Sequence, residues 1–123
     1  MYERELRLIR DDVLSNHVIH KENCSDKELL DLYINCKALI IPSYVEGFGL
    51  PALDAAVLKV PVIASDIDVF REYLHDYPLY FDPKSTSCLA EVMAKFKNHK
   101  YEQPNLPCWS EHFDKLNETL DNV

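Results

Sequence analysis

The segment "ALIIPSYVEGFGLPALDAAVLKVPVIAS", residues 38–65, decides the fold of this 123-residue chain. It opens on "ALII" at 38–41, an apolar run without polar alternation that Pro42 closes. Such a run describes a strand covered on both faces, as in a parallel sheet. A second run of this kind, "VPVIAS" at 60–65, ends the segment. A helix is expected between them from Pro51, because a proline at the first helical position lacks an N–H that would be unpaired there anyway. Strand, helix and strand make one βαβ unit.

The same alternation continues outward. Leu6, Ile9 and Val13 stand at helical spacing within residues 2–14, and "NHVIH" at 16–20 reads as a short strand. "SDKE" at 25–28 is a capping box, with Ser25 as N-cap and Glu28 three residues on. The helix behind it is expected to bury Leu29, Leu32, Tyr33 and Cys36. After the second strand come a short helix through "VFREYL", a strand "LYF" at 79–81, and a helix "STSCLAEVMAKF" with Leu89, Val92, Met93 and Phe96 on one face. Residues 98–108 read as a loop, and a last helix from Ser110 would bury Phe113, Leu116 and Leu120, with Trp109 just ahead of it. The expected fold is α/β, a doubly wound, Rossmann-like parallel sheet forming a single domain over residues 1–123.

Composition narrows the function. With 47% hydrophobic and 28% charged residues the chain is an ordinary globular one. A formal charge of −8 argues against a nucleic-acid polymer as partner. One phosphate held by backbone amides remains compatible with that charge. Cys24, Cys36, Cys88 and Cys108 form no CxxC pair and the five histidines no HExxH motif, so reduced thiols are expected and no metal. The opening "MYERELRLIRDD" is too charged for a signal peptide. No apolar run approaches the roughly 20 residues of a membrane span. A cytoplasmic location, free or peripheral to the membrane, is the expectation.

Gly47 and Gly49 are the only glycines present, where average usage near 7% would give about eight or nine. They lie between a strand and a helix, at the carboxyl edge where doubly wound sheets bind ligands. Helix N–H groups and the helix dipole attract anions there, and glycine lets the backbone approach a ligand or adopt positive φ. Two glycines alone describe equally a tight turn without a ligand. Glu46 beside them would repel a bare anion, but it suits a ligand that also offers hydroxyls. Asp54, eight residues on, is expected in the first turn or so of the helix. There it would accept from a diol or merely complement the helix N-terminus.

"PSYVEGFGLPALDAAVLKVPVIASDIDVFREYLHDYPLYFDP", residues 42–83, resembles the donor-binding segment of the family-four (group 1) glycosyltransferases of the GT-B fold. The shared features are two acidic residues with seven residues between them, the proline-valine strand, an arginine-glutamate pair at Arg71 and Glu72, and the late "DP". A looser likeness runs from about Leu6 to the last helix. The resemblance implies a retaining hexosyltransferase that takes its sugar from a nucleotide-diphosphate donor without a catalytic metal or other cofactor. Glu46 would be the catalytic-site residue holding donor-sugar hydroxyls. Ser43, Gly47, Phe48, Gly49 and Leu50 would bind the donor's distal phosphate and sugar, and Asp54 the ribose. Asn23 and Cys24 would lie near the base. Asp54 stands where the family carries glutamate, one methylene shorter. The resemblance also implies that the acceptor domain and the first strands of the donor domain are absent, so that the chain alone is inactive.

Alternative readings accompany this one. The chain is either the donor-binding part of such an enzyme, with a carbohydrate or lipid-linked acceptor, or a non-catalytic nucleotide-binding or assembly module. In the second case it would pair with itself or with a partner chain supplying the missing half. Asp66 and Asp68 form a DxD that could share a divalent cation; otherwise Asp68 caps the following helix and Asp66 sits in the turn. Arg71 and Glu72 are expected in an ion pair supporting the loop. Tyr44 and Phe48 either stack on the ligand or pack into the core. His20 and His75 either line the cleft or lie at the surface.

Overall fold

The computed structural model describes residues 17–96. The expected helices at 2–14 and from Ser110, and the loop at 98–108, lie outside them. The chain divides into two compact units, Met1–Leu32 and Tyr33–Val123, and the boundary falls inside the first described helix, α1 (Asp26–Asn35).

In the first unit the capping box forms as the sequence predicts. The Ser25 N–H and Oγ both donate to Glu28 Oε2 at 2.9 Å, and the Glu28 N–H returns a bond to Ser25 Oγ at 3.3 Å. These Ser25 bonds hold the Glu28 carboxyl below its ordinary value. Residues 17–20 form no strand, against expectation. A period-2 or apolar pattern makes a segment able to pair, but a strand exists only where another backbone accepts its N–H groups. Nor is the apolar stripe of α1 covered along its length. Leu29 and Leu32 are 47% and 45% exposed and Cys36 is exposed, so only Tyr33 enters a core.

The second unit carries the sheet. Its elements run β1 (Leu39–Ile41), α2 (Leu50–Val57), β2 (Val62–Ser65), α3 (Asp68–Leu74), β3 (Leu79–Phe81) and α4 (Thr86–Lys95). The strands lie in the order β1-β2-β3, all parallel, with Leu39 opposite Val62 and Ile63 opposite Leu79. All four residues of β2 are buried, as the unbroken apolar run requires. Strand side chains alternate between faces. Val62 and Ala64 join one core with Ala52, Ala55 and Ala56 of α2 and Phe70 and Leu74 of α3, whereas Ile63, equally buried, stands outside that cluster. Both faces of β2 are therefore covered, which is the Rossmann-like arrangement. On α4, Leu89, Val92 and Phe96 are half-buried and Met93 is exposed. Ser85 caps this helix, its Oγ accepting from the Cys88 N–H at 3.2 Å.

β2 begins later than expected because Pro61 has no N–H to give and the Val60 N–H closes α2 by donating to Ala55. That closure is a Schellman motif: Val60 N–H to the Ala55 carbonyl at 2.8 Å, Lys59 N–H to the Ala56 carbonyl at 3.1 Å. Its left-handed position, usually glycine, is Lys59 with φ 62. A left-handed lysine costs about 1–2 kcal/mol, and glycine's extra freedom in the unfolded chain costs about 0.5–1 kcal/mol. Lys59→Gly is accordingly expected to raise the unfolding free energy by about 0.5–1 kcal/mol, measured by urea denaturation.

Candidate functional site

Two hydrogen bonds tie the carboxyl ends of the strands together. The Ser65 hydroxyl donates to the Ile41 carbonyl at 3.3 Å, and the Asp66 N–H to the Phe81 carbonyl at 2.8 Å. The loop 42–49 leaves this edge from β1 and enters α2. It brings together Ser43, Glu46, Gly47, Phe48 and Gly49, with Leu50 as the first helical residue.

Ser43 and Glu46 are half-buried and joined directly, Ser43 Oγ donating to Glu46 Oε1 at 2.6 Å. A hydroxyl–carboxylate bond this short is charge-assisted. It fixes the carboxylate while Oε2 keeps no partner among the described residues. The Ser43 hydroxyl thus faces Glu46, a role that the serine-to-glutamate spacing of three could have signalled.

The two glycines differ. Gly49 is the N-cap of α2 with φ 73, and a Cβ there would stand 2.5 Å from Phe70 Cε1. Backbone conformation and packing both demand glycine. Gly47 meets neither demand: its φ is not positive and an added Cβ would find nothing within 4 Å. The N–H groups of Phe48, Gly49 and Leu50 donate to no atom of the described residues. They stand at the positive end of α2, whose first turn holds no acidic residue.

Asp54 therefore sits one residue further into α2 than expected, past the first turn, because the helix starts at Leu50. It is exposed, shares a helix face with Leu50, and lies beyond the turn where the dipole rewards a carboxylate. Tyr33, whose hydroxyl donates to the Pro51 carbonyl at 3.3 Å, is its neighbour. Burial, and next the charge of Asp54, push the Tyr33 hydroxyl up. Tyr44 and Phe48 are no part of the core, at 67% and 43% exposed. Asn23 and Cys24 belong to the first unit, where both are exposed and Asn23 carries φ 54. His20 and His75 are exposed.

The acidic pair after β2 is divided between two tasks. Arg71 grips Asp66 with two bonds, Nε to Oδ1 at 2.7 Å and an Nη to Oδ2 at 2.8 Å. Its partner is Asp66, with Asp76 at 3.8 Å, and its guanidinium lies 3.7 Å above the Tyr80 ring. Asp68 is the first residue of α3 and not its cap. The N-cap is Ile67, which has no side-chain bond to offer. Among the described residues no group of three or more potential ligands could hold a metal, and no helix is long and apolar enough to cross a membrane. Cys24, Cys36 and Cys88 are free, and Cys108 lies outside the described residues.

A parallel sheet with a glycine loop at its carboxyl edge is a Rossmann-like arrangement. The sequence matches the family model "Glycosyl transferases group 1" over residues 1–106. The chain belongs to that family. It is similar to the serotype-specific mannosyltransferase WbdA of Escherichia coli, 39% identical over 83 residues, covering 68% of this chain and 10% of that protein. It is also similar to the O-antigen chain mannosyltransferase RfbU of Salmonella typhimurium, 33% identical over 112 residues, covering 81% and 32%. The O-antigen biosynthesis glycosyltransferase WclY of Escherichia coli is 39% identical over 61 residues, covering 50% and 17%. The chain spans about a tenth to a third of the length of these relatives.

Two predictions follow from this geometry. Gly49→Ala, with strained φ and a clash against Phe70, is expected to lower the unfolding free energy by about 1–3 kcal/mol. Gly47→Ala should change it by no more than about 0.5 kcal/mol in the same urea titration. The Arg71 bonds hold the Asp66 carboxyl below its ordinary value. A lowered folded pKa gives stability that is present above the unfolded carboxylate range, near 3.9, and fades as pH falls through the folded value. The deficit of Asp66→Asn relative to the parent should therefore be seen at pH 7 and shrink below about pH 4, read from urea midpoints across that range.

Proposed function

We propose that loop 42–50 is the donor site of a retaining glycosyltransferase that moves a hexose from a nucleotide-diphosphate sugar to a carbohydrate or lipid-linked acceptor, with this chain supplying the donor-binding part. One observation carries the reading. A carboxylate fixed by Ser43 stands beside a run of unpaired N–H groups at the positive end of an eight-residue helix. Backbone N–H groups at such an end take a phosphate oxygen. A carboxylate in the same loop takes hydroxyls, so the pair suits a ligand that presents both, as a sugar diphosphate does. Open space beside Gly47 leaves the backbone approachable. Asp54, on the same helix face as Leu50, would take a diol of the ribose. The mannosyltransferase relatives make mannose the first sugar to test.

The test is a ¹⁵N-correlated NMR titration of the whole chain with GDP-mannose, UDP-glucose and ADP-glucose and with the parent diphosphates. Both glycine amides are expected to move and saturate with one base. Glu46→Gln should weaken the sugar conjugate about tenfold or more, the worth of a hydrogen bond to a charged group, while the parent diphosphate changes little. If no nucleotide moves either glycine, the reading fails and the assembly-module alternative stands in its place.

A further inference from the structure

Loop 42–49 rests on α3 at two consecutive residues. The Gly49 backbone lies against the Phe70 ring, where a Cβ would come within 2.5 Å. One residue earlier, the Phe48 ring centroid stands 4.5 Å from that of Tyr73, with the ring planes tilted by 51°. Phe70 and Tyr73 are three apart on α3 and so share a helix face. Phe70 is fully buried, Tyr73 half-buried and Phe48 exposed, so the platform stiffens from the loop inward.

The platform is itself fastened at both ends. The Tyr80 hydroxyl lies 3.0 Å from the Phe70 carbonyl and 2.7 Å from the His75 carbonyl, so β3 holds α3 at its middle and its end. Arg71 chelates Asp66 just past β2 and covers the Tyr80 ring. A lone phenylalanine on an exposed loop would turn freely. Here its ring has a partner 4.5 Å away.

We propose that Tyr73 is a positioning residue. Its ring holds Phe48, and together with Phe70 it sets the direction of the Phe48, Gly49 and Leu50 N–H groups toward the phosphate of the donor. This rests on the proposed donor site and adds to it a residue outside the glycine loop. Tyr73 touches no ligand and acts through the Phe48 ring. An aromatic pair of this kind biases a conformational equilibrium by about twofold to tenfold. A binding-competent loop that is less populated weakens apparent affinity by the same factor.

The experiment compares Tyr73→Leu, Phe48→Leu, their combination and Tyr73→Phe in the full chain. Two readouts are used: the Gly49 amide shift and ¹⁵N heteronuclear NOE of the free protein, and the affinities for GDP, UDP and ADP. Tyr73→Leu and Phe48→Leu should each displace the Gly49 amide, lower its NOE and weaken the bound diphosphate about twofold to tenfold. The double variant should lose no more than either single one, because both remove the same contact. Tyr73→Phe keeps the ring and should match the parent. Should Tyr73→Leu fail to fold, Phe48→Leu, whose ring is exposed, carries the same measurement. An unmoved Gly49 amide in folded variants, or a Tyr73→Phe variant as weak as Tyr73→Leu, overturns the proposal. If none of the three diphosphates binds the parent chain, the donor site is lost, while the free-protein Gly49 amide still decides whether Tyr73 orders the loop.

Discussion

The Gly49 backbone lies on the Phe70 ring with no room between them for a methyl group. Much of the second unit depends on that contact. The left-handed turn at Gly49 aims α2, whose fully buried residues are Ala52, Ala55 and Ala56, with half-buried Leu53 packed against the same core. Phe70 belongs to the same core as those alanines and as Val62 and Ala64 of β2. The loop, both crossover helices and the central strand therefore meet at one close-packed place, where interiors have little slack.

The scarcity of glycine takes on a sharper meaning against this background. Asn23, Lys59 and His75 all hold positive φ without being glycine. The chain tolerates a side chain wherever only the backbone angle is demanding. It keeps glycine at 49, where angle and packing coincide, and at 47, where the fold demands neither. The protein's own packing thus does not explain the glycine at 47, which is exposed with open space beside it.

Much of this was legible in the sequence because the deciding forces were local. The unalternating apolar runs located β1 and β2, the Ser25–Glu28 spacing located a helix start to the residue, and the glycine pair located the loop. What escaped depended on partners distant in the chain. The period of α1 marked an apolar face at Leu29 and Leu32, but periodicity says nothing about whether a surface arrives to cover it. "NHVIH" had strand composition, yet pairing is a property of two segments. Asp54 and Asp68 were each misplaced by small boundary errors, since Gly49 and Ile67, neither offering a side-chain bond, are the N-caps. The family resemblance pairs Arg71 with Glu72; in space its partner is Asp66. Phe70 and Tyr73 looked like any apolar helix residues until Gly49 and Phe48 were found above them.

The hydroxyl donors that tie distant segments of this unit together are largely tyrosines. Tyr33 reaches Pro51, Tyr77 reaches Val60 at 2.8 Å, and Tyr80 reaches Phe70 and His75. Each donates to a backbone carbonyl, so each bond exists only while the phenol keeps its proton. Burial pushes all three hydroxyls up, Tyr80 to about 12. A group raised in the folded state stabilises fully below its unfolded value, near 10, and that contribution is lost as pH climbs through the folded one. The fold thus carries an alkaline ceiling of its own. Strong base would loosen these seams by turning their donors into phenolates that face carbonyl oxygens.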